Sequence, residues 1–158
     1  MKDTHNFTTQ RITKKNSILL NGNIDEVFPL FGALEEQKWL STWKPDLVYS
    51  QTGNDEKNMI FKTTPHLPDA NINFYWVMTE LSKERHVIGY AIFSIHHITT
   101  IEILCTATGQ VTKTDVTYNF TGLDEQGNEW ITKMSDIIFQ NDLKDWQEKI
   151  NDYLRSKG

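Results

Sequence analysis

The sequence predicts an α+β domain in which a seven-stranded antiparallel sheet grips one long C-terminal helix. Two patterns point there. From Asp46 to Phe120 the chain reads as consecutive strands with short connectors, and after Gly122 it turns into one amphipathic stretch. That stretch runs Trp130-Ile131-Met134-Ile137-Ile138 and then Leu143-Trp146-Ile150-Leu154. A sheet must bury one face, and a single helix long enough to cross it supplies the cover while leaving room for a cavity between them.

The 158 residues suit one domain, spanning 1–158, long enough to bury roughly 70% of the unfolded surface. The first residues are polar. Thr8 to Leu20, rich in Thr and Ile, reads as the first strand. Asn21-Gly22 is a turn signal, and Asn23 or Asp25 is placed to cap a helix. Ile24, Val27, Phe28 and Phe31 recur at i, i+3, i+4 and i+7, a short amphipathic helix that Pro29 kinks or ends. Leu34 to Leu40 reads as a second short helix, stopped before Pro45.

Six strands follow: Leu47 to Gln51, Met59 to Thr63, Ile72 to Leu81, Val87 to Ile95, Thr99 to Thr106 and Thr114 to Phe120. Their connectors are short, as an antiparallel meander requires, apart from a looser loop over Pro65 to Asn71. The last helix is expected to begin within Gly127 to Trp130 and to reach about Leu154. Arg155 and Lys157 favour its C-terminus electrostatically.

Charge and composition exclude several functions. Formal net charge is -5, with Lys and Arg scattered, so no basic patch is present to neutralise nucleic-acid phosphates or an anionic membrane surface. No apolar run reaches membrane-span length, which argues against stable membrane insertion. The N-terminus shows no signal region and the single Cys105 excludes an intrachain disulfide; both suit the cytoplasm. Cys105 lies in an apolar run, the place of a small buried hydrophobe rather than a nucleophile. The pattern specifies no oligomeric state.

Residues two apart on a strand share a face. Phe61, then Phe74-Trp76-Met78, Ile101-Ile103-Cys105 and Val116-Tyr118-Phe120 therefore form apolar rows. Met134 and Ile138 are placed to face them from the helix. With Trp43 and Tyr90 added, the candidate ligand-binding set is Trp43, Phe61, Trp76, Tyr90, Ile103, Tyr118, Met134 and Ile138. Plain core filling is the competing role for each. The phenols of Tyr90 and Tyr118 suit the orientation of a polar ligand atom, or a structural hydrogen bond.

No catalytic set is legible. His96-His97 alternate faces at a strand end, which is poor geometry for one metal, so no metal site is expected. His66 falls in a loop that either overhangs a pocket mouth or is simply exposed. Glu102, Asp115, Thr117 and Asn119 are expected on the outer face. Asp142, Lys144, Asp145, Glu148 and Lys149 read as a solvated helix face. Phosphate-cradling and dinucleotide fingerprints are absent from the sequence, and no cofactor is expected.

The order strand, two short helices, six strands, long helix resembles the START-like (SRPBCC, helix-grip) superfamily, specifically its bacterial branch labelled polyketide cyclase or chaperone-ATPase-activator-like. Ile24-Asp25-Glu26-Val27-Phe28, Trp39 through Trp43-Lys44-Pro45, and Val116 to Leu123 carry the match. It continues through Gly127-Asn128-Glu129 to Trp146 and Ile150 to Leu154. The resemblance implies a cavity for a hydrophobic or amphipathic small molecule, such as a lipid or polyketide. It also leaves open a cyclase or dehydratase acting in that cavity, or a chaperone-cofactor-like interaction module.

Overall fold

The computed structural model describes residues 6–64 and 73–158; His66 lies outside them. Seven strands form one antiparallel sheet: β1 (Arg11–Leu20), β2 (Asp46–Tyr49), β3 (Ile60–Thr63), β4 (Phe74–Ser82), β5 (Val87–Phe93), β6 (His97–Thr108) and β7 (Val111–Gly122). Their order in the sheet is β1-β7-β6-β5-β4-β3-β2. Strands β2 to β7 thus form a meander, and β1 returns to pair with β7 from Arg11↔Thr121 to Leu20↔Thr112.

Side-chain alternation sends the expected rows inward. On β6, Thr99, Ile101, Ile103 and Cys105 are buried, whereas Glu102 between them is exposed. On β7, Thr112, Thr114, Val116, Tyr118 and Phe120 are buried together. The pairing of β4 with β5 slips between Met78 and Glu80, a bulge that bends and twists the strand around the core. Gly89 sits opposite, where a Cβ would lie 2.8 Å from the Thr79 hydroxyl, so the tight crossing requires glycine. At the β6–β7 hairpin, Gly109 takes φ +71 at the first position of a two-residue turn.

Between β1 and β2 the chain makes short turns only. Asn23 caps α1 (Ile24–Val27) by accepting from the Asp25 and Glu26 amides. At Phe28 the helix tightens into a 3-10 turn, Phe28–Phe31, with Pro29 in its first positions, where a missing amide proton costs nothing. The second predicted helix is reduced to a 3-10 turn, Glu36–Lys38.

The long helix α2 (Glu125–Lys157) has 33 residues and is about 50 Å long. It starts earlier than its hydrophobic pattern predicts because Asp124 caps it, accepting from the Gly127 amide at 2.8 Å. His96 Nδ1 meets the other Asp124 oxygen at 2.7 Å and holds that cap to the β5–β6 connection. Ile131, Met134, Ser135, Phe139, Leu143, Trp146 and Ile150 form the buried stripe.

The helix also protects an edge. β1 ends the sheet, and its outer backbone groups would otherwise be free to recruit another strand. Asn151 accepts from the Asn21 amide at 2.8 Å and donates to the Leu19 carbonyl at 3.3 Å. Asn128 does the same at the other end, accepting from Gln10 N at 2.9 Å and donating to Thr8 O at 3.0 Å. The two amides act as strand mimics. Asn151→Ala should cost about 1 kcal/mol in urea denaturation, and Asn151→Asp less, since it retains the acceptor.

Candidate functional site

The helix packs along β1 and β7, and the curl of the sheet carries β3 to β5 away from it. The gap is a cavity of about 660 Å³, within the range of small-molecule sites. Its floor is Ile92, Thr99, Ile101 and Ile103 with Tyr90 and Phe120. Trp43 and Trp76 form one wall, and Trp130, Ile138 and Trp146 of α2 form the other. Exposed Thr42, Lys44, Asp46, Asn141 and Asp145 mark its mouth.

The aromatic wall is locked from behind. Phe61 is fully buried and stacks on Trp76 at 5.3 Å, and Trp43 meets both rings edge-on at 6.0 and 5.4 Å. The indole of Trp76 donates to the Thr63 hydroxyl at 2.8 Å, and that of Trp43 to the Ala33 carbonyl at 2.7 Å. Each indole N–H is thus satisfied within the protein, while the rings line the cavity.

Against this apolar lining stands a polar cluster. Tyr118 donates to Asp142 Oδ2 at 2.5 Å. Burial pushes Asp142 from the ordinary 3.8 up to about 6, opposed by the Tyr118 hydrogen bond and aided by the neighbouring Asp145 charge. Glu36, 7% exposed, faces the same space from the second 3-10 turn. Burial raises its carboxyl well above the usual range, and the Asp142 and Asp55 charges add to this. Tyr90 donates to the Phe31 carbonyl at 2.7 Å, so its hydroxyl is held structurally.

Six of the eight predicted lining residues meet at this cavity: Trp43, Trp76, Tyr90, Ile103, Tyr118 and Ile138. Phe61 supports Trp76 from beneath, and Met134 lies in the buried stripe of α2 outside the lining. Asp142 departs from the expected solvated face: it turns inward to Tyr118. The cavity wall also continues along α2 to Trp146.

The other polar candidates lie elsewhere. His96 binds the helix cap, whereas His97 is buried, stacked on Trp130 at 3.8 Å, and lowered to about 4, chiefly by burial. The two rings thus serve different partners. Cys105 is buried beside the Thr114 hydroxyl at 3.5 Å and pushed up to about 11 by burial, which keeps it a thiol.

The elevation of Asp142 has a thermodynamic signature. Below the unfolded-state value, native and unfolded chains both hold the proton. Between about 4 and 6 only the native chain holds it, so stability falls as pH rises through that window. Above it the buried charge is a full penalty. Asp142→Asn, which retains an acceptor for Tyr118, should therefore stabilise the protein above pH 7 by roughly 2 kcal/mol. The gain should vanish in urea titrations near pH 4. Glu36 remains in both proteins but is relieved of the Asp142 charge in the variant, so the difference reports Asp142 together with its effect on Glu36.

A scan against protein-family models finds no match, and a search of curated proteins finds none either. Solved structures do match. The Zhui aromatase/cyclase from Streptomyces sp. R1128 aligns with TM-score 0.75 at 12% identity, covering 94% of this chain and 99% of that one. Ara h 8.0201 aligns with TM-score 0.68 at 13% identity, covering 93% and 99%. Norcoclaurine synthase from Thalictrum flavum, in complex with dopamine and hydroxybenzaldehyde, aligns with TM-score 0.67 at 11% identity, covering 96% and 90%. At such identities the likeness is one of fold.

Proposed function

From a chain with the helix-grip fold of the START-like (SRPBCC) superfamily, we propose a protein that binds a small hydrophobic or amphipathic molecule between sheet and helix. The observation that carries this reading is the cavity itself: about 660 Å³ of space walled by Trp43, Trp76, Trp130 and Trp146. Well-packed interiors hold few voids larger than a water molecule, and large rings fill space readily, so a void among four indoles is a site for a ligand. Tyr90, Ile103, Tyr118 and Ile138 complete the contact surface in this reading, with Phe61 and Met134 shaping it from behind. Among the described residues no helix is long and apolar enough to cross a membrane.

Native mass spectrometry after exposure to a panel of lipids and polyketides, paired with displacement of an environment-sensitive dye, tests the proposal. Retention of one apolar compound with matching dye displacement is the expected outcome. Retention of none, with no dye bound, would contradict it.

A second reading has one specific support. Asp142, Tyr118 and Glu36 place ionisable groups of different proton affinity on one apolar cavity, an arrangement suited to moving protons on a bound substrate. A cyclase or dehydratase reaction would then depend on Asp142, with a rate profile inflecting near pH 6 and lost in Asp142→Asn.

A further inference from the structure

The apolar reading leaves the acidic side of the cavity unexplained. Glu36 is buried and faces the cavity, and among the described residues its carboxyl has neither a hydrogen bond nor an ion pair. Its oxygens open onto the cavity, where they can accept from a donor on a bound molecule. Asp142 is held by Tyr118 alone among the described residues, leaving lone pairs toward the same space. The two carboxyls lie within each other's field.

The rest of the lining has the same bias. Asp46 and Asp145 stand at the mouth, where Asp145 is paired with Lys149 at 3.1 Å. Lys44 is the only basic side chain among the described lining residues. Trp43, Trp76 and Trp146 line the same cavity, and an indole ring attracts a cation. A neutral guest would leave the Asp142 charge against apolar surface, and an anion would meet like charge.

We propose that the cavity selects amphipathic amines, with the ammonium group lodged between Asp142 and Glu36 and the apolar body laid against the indole walls. The proposal rests on the cavity reading above and narrows it to one chemical class. Asp142 supplies the countercharge, and Glu36 supplies an acceptor oxygen to a second ammonium proton. Tyr118 positions the Asp142 carboxylate. The ammonium relieves the repulsion between the two acids, so the paired carboxyls become the source of selectivity.

The test uses three probes of nearly one shape: phenylbutylamine, phenylbutanol and phenylbutyrate, titrated calorimetrically at neutral pH. The amine should bind at least about tenfold tighter than the alcohol, and the carboxylate weaker than either. In Asp142→Asn and in Glu36→Gln the amine-to-alcohol ratio should fall toward one, whatever the absolute affinities. Glu102→Gln, on the exposed outer face, should keep the wild-type ratio. Circular dichroism confirms that each variant is folded.

Equal binding of amine and alcohol by the wild type would overturn the amine proposal while leaving the cavity reading intact. A ratio that survives the combined Asp142→Asn, Glu36→Gln variant would also overturn it, by placing the recognition elsewhere. Failure of all three probes would overturn it as well, and the amine-free part of the lipid and polyketide panel then decides whether the cavity reading falls too.

Discussion

Replacing Trp146 by Ala should lower the unfolding free energy by about 3–5 kcal/mol. The indole is 7% exposed, 5.8 Å from the Phe31 ring and 6.2 Å from that of Trp39. These two rings belong to the turns between β1 and β2, so Trp146 joins that segment to α2. Removing it leaves a large void and separates three aromatic groups that anchor each other. Because one side of the ring already borders the cavity, the lost contacts lie mainly on the Phe31 and Trp39 side. Guanidinium denaturation followed by far-ultraviolet circular dichroism reads the effect, and Trp146→Phe should recover part of it. A loss under about 1 kcal/mol would mean that the turns do not depend on the helix for their position.

Gly127→Ala should destabilise by about 3 kcal/mol or more, although alanine is the better helix former by about 1 kcal/mol. A Cβ at this position would lie 1.8 Å from the His96 carbonyl oxygen and 3.2 Å from the Gly122 Cα. Both obstacles are backbone, and neither can swing aside. The first turn of α2 would have to lift from the β5–β6 connection, breaking the contact between His96 and the Asp124 cap. A thermal melt decides the sign: a lower midpoint is expected, and a higher one would show that propensity outweighs the close approach.

The fold was legible because strand alternation and helix spacing are local signals. Phe74, Trp76 and Met78, and likewise Ile101, Ile103 and Cys105, announce a shared face by parity alone. Element ends were less legible. The helix was expected to begin within Gly127 to Trp130 and instead begins at Glu125, and crowding against His96 O accounts for a glycine inside its first turn. Leu34 to Leu40 carries helix-forming residues, yet only Glu36–Lys38 closes into a 3-10 turn.

Asp142 is the instructive miss. Beside Lys144, Asp145, Glu148 and Lys149 it looks like one more solvated charge, but Ile138, Asp142 and Trp146 are spaced by four and share a face. That spacing was in the sequence; the acid in the middle of an apolar stripe was the signal. Glu36 carried no such mark, because in a 3-10 turn neither period distinguishes it from Glu35.

The central claim is that a ligand occupies the space between α2 and the sheet. Dye titration of an Ile138→Trp variant addresses it most directly, since Ile138 borders the cavity and is only partly buried. An indole there would project into the void without disturbing the Phe139 and Leu143 packing behind it. Dye affinity should fall at least about tenfold while the unfolding midpoint is unchanged or higher. Unchanged affinity in the folded variant would contradict the account, because it would place the dye outside the cavity.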